Sequence, residues 1–209
     1  MRLYLIRHAE TDYNRRRIIQ GYSEIPISAL GVAQAQRLAE RMRSTGIDHI
    51  YASDLKRAAM TAEVVAAATG APVRFHAGLR ERDPGALTHQ SYEAAQAFFT
   101  DPAYEPPGGE SLPTFERRVR RVFDELVEME GSSSRRIAVV SHGMVCAAFL
   151  RTHLGLGDDV LRGVRWRNTS IMSLDFEGAW RLLKLADDAH LAGLESPEAN
   201  GAGREGSGG

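Results

Sequence analysis

The fold of this chain is decided near its start, where residues 2–14 read RLYLIRHAETDYN. Residues 2–6 form a short apolar run, and the polar residues Arg7 and His8 follow it directly. A run of this length and composition is typical of a buried strand, whose end is where polar side chains leave the core. The pattern therefore predicts a β-strand that delivers Arg7 and His8 to one edge of a sheet.

The same arrangement occurs again in the second half of the chain. Residues 137–140 read IAVV and predict another buried strand, which the triplet Ser-His-Gly at 141–143 follows. The helical pattern MVCAAFLRTHL comes next. In an α/β sheet, ligands collect at the carboxyl ends of the strands. We therefore expect His8 and His142 to lie close together.

Further helices and strands are predicted between and after these two strands. Ser28 is positioned to cap a helix that ends near Gly46, and Ser53 and Asp54 offer caps for a second helix. Helical spacing places apolar stripes on the first helix and on a later, long helix. Their members are Val32, Ala35, Leu38, Ala39 and Met42, then Phe115, Val119, Val122, Leu126 and Met129. Shorter strands are predicted at 48–52, 72–75, 170–176 and 180–186, the last two as an antiparallel hairpin.

This alternation predicts an α/β fold: a three-layer sandwich with a mostly parallel central sheet and helices on both faces. Residues 1–190 are expected to form one domain, in which a polar, aromatic-bearing segment at about 82–112 forms a small cap insertion. Residues 191–209 are rich in Gly and small polar residues, which bury too little surface to become ordered. They are expected to form a flexible tail.

Composition restricts the classes of partner. The chain has 209 residues, of which 43% are hydrophobic and 25% charged, and its net charge is -1. No overall positive field exists to attract nucleic acid or an anionic membrane. Cys146 is the only cysteine, which excludes an internal disulfide, and its apolar neighbours favour a core position. The apolar run at the start is too short for a signal peptide, so a cytoplasmic enzyme is expected.

The polar residues after the strands suit phosphoryl transfer. A neutral imidazole is a competent nucleophile near neutral pH, which makes His8 the candidate nucleophile. Positive charge around the transferring oxygen atoms would come from Arg7, Arg57 and His142, without a metal or another cofactor. Glu81 is the candidate acid and base, since a carboxyl beside phosphate has a raised pKa. Two further groups are candidate donors to phosphate: the Asn14 amide and the Gly143 N–H at a helix start.

Simpler interpretations apply to other polar residues. Glu10, His76 and His89 lack the spacing of a metal site, and nearby arginines would repel a cation, so no metal is expected. The run Arg15–Arg17 is either a solvated face or a guide for anionic substrates. Four arginines of the long helix are expected to cover its exposed face, and both tryptophans to pack in the core or an interface. These residues are Arg117, Arg118, Arg120 and Arg121, and Trp166 and Trp180.

Three motifs make the chain resemble the histidine phosphatase superfamily, the phosphoglycerate mutase-like enzymes. The family signature Arg-His-Gly-Glu-Thr appears as residues 7–11, with Ala9 in place of glycine. The family run Ser-Asp-Leu-x-Arg-Ala is matched by residues 53–58, and Ser-His-Gly by residues 141–143. The resemblance extends from Arg2 to about Leu185.

The resemblance implies a phosphohistidine on His8, held by Arg7, Arg57 and His142, with Glu81 as acid and base. Asn14 and the Gln20-Gly21 pair would complete the substrate side, and a homodimer is the implied assembly. The expected activity is hydrolysis of a small-molecule phosphomonoester. The insertion after Glu81 is short and poor in basic residues, which favours a phosphatase over a mutase.

Two alternatives stay open: phosphoglycerate mutase-type transfer and a noncatalytic phosphate-binding protein. The aromatic residues of the cap would either form an apolar wall for the leaving group or pack the cap onto the core. They are Tyr92, Phe98, Phe99 and Tyr104.

Overall fold

The computed structural model describes residues 1–131 and 134–194. Six strands form one sheet: β1 (Arg2–Arg7), β2 (His49–Ala52), β3 (Val73–Phe75), β4 (Arg136–Ser141), β5 (Ile171–Phe176) and β6 (Trp180–Asp187). Their order is β3-β2-β4-β1-β5-β6. The first four strands in this order are parallel, and β5 and β6 run antiparallel as a hairpin at one edge. The predicted α/β fold with a mostly parallel sheet is confirmed.

Strand β1 shows why the sheet is covered on both faces. It pairs in parallel with β4 and antiparallel with β5, so both of its edges are occupied. Side chains of a strand alternate between the two faces. Leu3 and Leu5 pack into one apolar cluster, whereas Ile6 packs into another on the opposite face. A strand buried in this way ends abruptly in polar residues at its carboxyl edge.

Seven α-helices are found in the described part of the chain. They are α1 (Asp12–Arg15), α2 (Ala29–Met42), α3 (Lys56–Thr69), α4 (Gln96–Thr100), α5 (Leu112–Glu130), α6 (Gly143–Leu154) and α7 (Asp158–Arg162). Helices α2 and α3 cover the Ile6 face, and α5 and α6 cover the Leu5 face, which completes the predicted three layers. Cys146 of α6 is buried in the core, as expected, and burial raises the pKa of its thiol.

Two predicted stripe residues are exposed. Val32 of α2 is 40% exposed, because the helix turns Gly31 toward the β1–α1 loop; a Cβ there would lie 2.2 Å from the Glu10 carbonyl oxygen. Met129 of α5 is 55% exposed, and the neighbouring Glu130 is buried in its place. Glu130 accepts hydrogen bonds from Tyr51 at 2.7 Å and from Arg135 at 2.6 Å, which satisfies its buried charge.

The caps predicted for α3 are wrong. Leu55 is the N-cap residue, and no side chain caps the helix. Ser53 is fully buried and contacts His142 instead. Asp54 accepts two hydrogen bonds from Arg80, at 2.7 and 2.5 Å, which lower the pKa of its carboxyl group. Both side chains therefore bind other residues and do not cap the helix.

Segment 82–112, predicted as the cap, packs through its own small apolar cluster. Leu87, Ala95 and Phe98 are buried there against Ile19. Arg82 anchors the segment from within: its three nitrogen atoms Nε, Nη1 and Nη2 donate to the carbonyl oxygens of Glu110, Phe98 and Tyr104, each at 2.9 Å. The segment is therefore held mainly to itself and to one loop near the start of the chain.

The start of the predicted tail is packed. Leu191, within a short 3₁₀ helix at Ala189–Leu191, is 1% exposed, and the Leu194 carbonyl accepts a hydrogen bond from Arg167. The rest of that predicted tail, 195–209, lies outside the described residues. Within the described residues, no helix is both long and apolar enough to cross a membrane.

Candidate active site

Four chain segments bring the predicted site residues to the carboxyl edge of the parallel strands. Arg7 ends β1 and His8 follows it, while His142 is the N-cap residue of α6 directly after β4. The His8 N–H donates to the Ser141 carbonyl at 2.8 Å, which ties the two strand ends together. The rings of His8 and His142 lie 5.1 Å apart between centroids. Arg57 comes from the first turn of α3.

The surroundings of His8 leave one ring nitrogen available. Its Nδ1 lies 2.8 Å from the carbonyl oxygen of Ala9, an acceptor only, so we assign the ring proton to Nδ1. Nε2 then carries the free lone pair. His8 is 3% exposed, and burial, followed by the charges of Arg57 and Arg7, lowers its pKa well below 6.5. The imidazole is therefore neutral and nucleophilic at physiological pH.

His142 is also neutral, and its ring is hydrogen-bonded to a serine side chain. Burial lowers its pKa well below 6.5, with contributions from Arg57 and His8. Its Nε2 lies 2.9 Å from Ser53 Oγ, which already accepts the Leu55 N–H at 3.3 Å. We assign the Ser53 hydroxyl as the donor to Nε2, which places the ring proton of His142 on Nδ1. That nitrogen is buried and has no hydrogen-bond partner among the described residues.

Arg57 is held by the main chain of a neighbouring loop. Its Nη2 donates to the Gly21 carbonyl at 3.0 Å, and its Nη1 to the Ser23 carbonyl at 3.4 Å. Gly21 has φ +50°, and a Cβ on it would lie 2.8 Å from Pro84 Cγ. Only glycine fits this approach, so Gly21 positions Arg57. Burial lowers the pKa of Arg57 to about 10, and the guanidinium remains charged at neutral pH.

Arg7 and Gly143 adjoin each other at the strand ends. Arg7 Nη1 donates to the carbonyl oxygen of Trp166, which fixes the direction of the guanidinium. Gly143, the first residue of α6, lies beside Arg7: a Cβ on it would meet Arg7 Nε at 3.7 Å, an ordinary contact. The start of α6 therefore faces the same space as Arg7, and a helix start favours an anion.

Glu81 enters this space from the loop after β3. One carboxylate oxygen accepts the Arg82 N–H at 2.9 Å and the other accepts the Met144 N–H at 3.2 Å. Burial raises the pKa of Glu81 above 4.5, against the opposing effects of these hydrogen bonds and of Arg57 and Arg7. A carboxyl group whose pKa is raised in this way is a candidate both to donate and to accept a proton.

Asn14 and Gln20 add two side-chain amides to the same group of polar residues. The Asn14 side-chain oxygen accepts the Thr11 N–H at 3.1 Å, and the Gln20 side-chain oxygen accepts the Thr11 hydroxyl at 2.9 Å. These contacts orient both amides by their oxygen atoms. Both residues line the same cavity as His8, and their NH₂ groups are the donors that remain for a ligand.

Arg118 corrects the expectation that the arginines of the long helix cover its exposed face. It is half-buried and pairs with Glu110 at 2.6 Å, while Nη1 donates to the Gly78 and Arg80 carbonyls, each at 2.9 Å. Nη2 also donates to the Glu81 carbonyl at 3.1 Å. Arg118 is thus turned inward because several carbonyl oxygens of the Glu81 loop converge on it. Arg117, Arg120 and Arg121 are exposed as predicted.

A cavity of about 360 Å³ joins these groups to the segment at 82–112. Arg7, His8, Arg57 and Glu81 line it together with Asn14, Gln20, Gly21 and Gly143. His142 was also expected to hold the phosphoryl group, but it is fully buried and is not part of the described cavity lining. The remaining lining is formed by Ile19, Arg82, Tyr92, Phe98, Phe99, Met144, Ala147 and Trp166. Within the described residues, no group of three His, Cys, Asp or Glu side chains is arranged to hold a metal ion.

Sequence reasoning missed several residues that shape this site. Ser53, Arg82, Arg118 and Trp166 were assigned to caps, an insertion, a helix surface and general packing. The signal for Trp166 was absent, because it contributes a main-chain oxygen that any residue has. Arg82 stands between Glu81 and Asp83, and its neighbours gave no sign of burial. Arg118 lies three and four residues from Phe115 and Val122 of the apolar stripe, which was the available sign.

The chain is similar to known proteins over nearly its whole length. The chain is 35% identical over 213 residues to a probable phosphoglycerate mutase, GpmB, of Proteus mirabilis, covering 95% of this chain and 98% of that relative. A solved mycobacterial glucosyl-3-phosphoglycerate phosphatase superposes with a TM-score of 0.78 and 29% identity, covering 89% and 99% of the two chains. YhfR of Bacillus stearothermophilus superposes with a TM-score of 0.84 and 25% identity, covering 91% and 98%.

The match to a family model is equally extensive. The model of the histidine phosphatase superfamily, branch 1, matches residues 3–188. This range includes both strand ends, the start of α3 and the Glu81 loop, which together form the polar end of the cavity. The chain belongs to the histidine phosphatase superfamily, branch 1.

Proposed function

We propose that this protein is a metal-independent phosphatase that hydrolyses a small-molecule phosphomonoester through a phosphohistidine on His8. The observation that carries the proposal is the environment of His8. Its ring proton is assigned to Nδ1, which leaves the lone pair on Nε2, and the donors Arg7 and Arg57 line the cavity beside it. A nucleophile and a donor at neighbouring positions suit an enzyme, because a protein that only binds phosphate needs no nucleophile.

In the first half-reaction, His8 Nε2 attacks phosphorus and the bond to the leaving oxygen breaks. The protonated carboxyl group of Glu81 gives its proton to the leaving alkoxide, and the product alcohol departs. In the second half-reaction, the Glu81 carboxylate accepts a proton from water while the water oxygen attacks phosphorus. The bond from phosphorus to Nε2 breaks, and His8 recovers its lone pair. Glu81 returns to its protonated form, and inorganic phosphate is released.

Positive charge stabilises the transferring group in both steps. Arg7 and Arg57 lie beside His8 and supply guanidinium donors that match phosphate oxygen atoms. The start of α6 at Gly143 adds neutral N–H donors. These fixed donors stand where a metal ion would act in other phosphoryl-transfer enzymes.

Transfer to a second hydroxyl of the substrate, as in a mutase, is the other candidate. The name of the Proteus mirabilis relative favours it, whereas the name of the mycobacterial structure favours hydrolysis. A mutase acting on a small acid would need a free cation for the carboxylate. In the part of the described cavity lining that lies away from His8, Arg82 is the basic residue. Each of its three nitrogen atoms donates to a carbonyl oxygen. This contact pattern supports hydrolysis.

The proposal is tested by turnover of an aryl phosphomonoester in excess chelator, with wild type, His8→Ala and His49→Ala. His49 is a matched control, because it is a half-buried histidine at the opposite end of the sheet. Activity that survives chelation in wild type and His49→Ala, and is lost in His8→Ala, supports the proposal. Retained activity in His8→Ala, or loss of activity on chelation, overturns it.

A second assay separates hydrolysis from transfer and from binding alone. With 3-phosphoglycerate, inorganic phosphate is the expected product, and the 2-phospho isomer would indicate a mutase. Phosphate binding without turnover of any ester would indicate a noncatalytic protein. We further propose that the protein is cytoplasmic, forms a homodimer, and has no nucleic acid or membrane partner.

A further inference from the structure

The cavity has two ends of opposite character. Around His8 the lining is charged or polar, whereas the rest of the described lining is almost wholly apolar. That second part, here called the leaving-group wall, consists of Ile19, Tyr92, Phe98, Phe99, Met144, Ala147 and Trp166. If phosphorus lies at His8, the alcohol half of the ester occupies the space along the leaving-group wall.

The leaving-group wall offers little to a polar or charged alcohol. The guanidinium of Arg82 stacks 4.3 Å from the centroid of Phe98 while its nitrogen atoms are engaged by carbonyl oxygens. Arg17 lies over the ring of Tyr92 at 5.5 Å, but it is not part of the lining. Burying a carboxylate or several hydroxyls against a mainly apolar wall carries a desolvation penalty.

A second cavity continues behind the same wall. It has a volume of about 260 Å³ and shares Phe98, Phe99, Met144 and Ala147 with the first. Phe99 is 43% exposed and lines both cavities, and its ring contacts the rings of Tyr92 and Phe98. Three arginines line the second cavity: Arg82, whose nitrogen atoms donate to carbonyl oxygens, Arg162, which is exposed, and Arg151. Arg151 forms ion pairs with Glu116 at 2.6 Å and Asp158 at 3.1 Å. An apolar group larger than one ring therefore has room to extend past Phe99.

We infer that the substrate is a phosphomonoester of an alcohol that carries an apolar body of at least one ring near the ester oxygen. This inference rests on the proposed phosphatase activity and specifies its substrate class. Removing a ring from water favours binding in proportion to the apolar area buried. The leaving-group wall thus selects the alcohol, whereas the polar end is indifferent to everything beyond the ester oxygen.

The test compares three phosphate esters of primary alkyl alcohols whose leaving-group pKa values are similar: propyl, 3-phenylpropyl and 3-(2-naphthyl)propyl phosphate. The expected kcat/KM for the phenyl ester exceeds that for the propyl ester by at least about 10-fold, the effect of burying one ring. The naphthyl ester is expected to equal or exceed the phenyl ester. 3-Phosphoglycerate is expected to resemble or fall below propyl phosphate.

Two phenylalanine variants sharpen the comparison. Phe99→Ser removes an aromatic ring from the leaving-group wall and is expected to lower the phenyl-to-propyl ratio several-fold. Phe75→Ser is the matched control, because Phe75 is similarly exposed, at 50%, and lies on edge strand β3 outside both cavities. Its ratio is expected to equal that of wild type.

The outcomes distinguish this inference from the proposed function. Equal kcat/KM values for the phenyl and propyl esters, or a clear preference for 3-phosphoglycerate, overturn the inference but leave a phosphatase. Rejection of the naphthyl ester, or an unchanged ratio in Phe99→Ser, also overturns it. Failure to hydrolyse any ester, together with no labelling of His8 by phosphate, removes the proposed function itself.

Discussion

The two ends of the cavity are built in different ways. The polar end gathers residues from β1, β4, α3 and the Glu81 loop, and main-chain atoms fix nearly every one of them. The leaving-group wall comes largely from the contiguous segment 82–112 and one side of α6, and it is held by apolar packing. The proposed chemistry is thus tied to the sheet, whereas the proposed selectivity depends on side chains of the leaving-group wall.

The largest effect is expected from Glu81→Gln, which removes the proton donor but keeps the shape. The rate with alkyl phosphates should fall roughly 10²- to 10⁴-fold, the usual contribution of general acid catalysis. Aryl phosphates should lose much less, since their leaving groups depart without a proton. Steady-state kinetics on one alkyl and one aryl ester make the comparison, and equal losses for both would contradict this role of Glu81.

The pH dependence of kcat/KM in the wild type is an independent test of the role of Glu81. A raised pKa keeps Glu81 protonated at higher pH than an ordinary carboxyl near 4.5, so kcat/KM should fall as the pH rises through that raised pKa. His8 must be neutral to attack, and its lowered pKa places the acid limb below 6.5. Glu81→Gln should lose the alkaline limb and keep the acid limb.

Arg57→Met tests the charge at the polar end. We expect kcat to fall about 10²- to 10³-fold, comparable to the loss of one preorganised donor to the reacting oxygen atoms. The ratio between phenyl and propyl esters should not change, because the leaving-group wall remains intact. Arg43→Met, which removes an exposed arginine of an ion pair at the end of α2, is the control and should retain full activity. A changed ester ratio in Arg57→Met would show that the two ends are not separate.

Arg82→Met tests what holds the leaving-group wall. It leaves three carbonyl oxygens without their donors, and the free energy of unfolding should fall by about 3 kcal/mol. Arg117→Met removes an exposed arginine of α5 and should change this value by less than about 0.5 kcal/mol. Urea unfolding of the two variants makes the measurement. Equal stability of both variants would mean that the carbonyl contacts of Arg82 contribute nothing.

Ser53→Ala should have the smallest effect. Loss of the hydrogen bond to His142 is expected to lower kcat by about 2- to 10-fold, the range for one hydrogen bond. A positioning role also predicts a change that simple destabilisation would not cause. Nitrogen NMR should find the His142 proton on Nδ1 in wild type and distributed between both ring nitrogens in the variant. An unaltered tautomer would contradict this role.

The sequence predicted the parts of the molecule that depend on local pattern. Apolar runs followed by polar residues located β1 and β4, and therefore His8 and His142. Contacts between distant segments were beyond such reasoning. Glu130 is buried where Met129 was predicted to be, because Tyr51 of β2 and Arg135 donate hydrogen bonds to its carboxylate. Arg118 is turned inward because it donates to carbonyl oxygens of another loop. Acceptors supplied by the main chain leave no trace in residue type.

The way in which Arg82 binds has a consequence for how this protein can diverge. Its partners Phe98, Tyr104 and Glu110 are contacted through carbonyl oxygens, which every amino acid possesses. As far as this anchor is concerned, the side chain at 104 can be exchanged while the segment keeps its attachment, whereas the Phe98 ring also stacks on the guanidinium. One guanidinium would thereby permit a repertoire of walls, and laboratory evolution of new substrates should begin by randomising the wall positions Tyr92 and Phe99 with Arg82 left untouched.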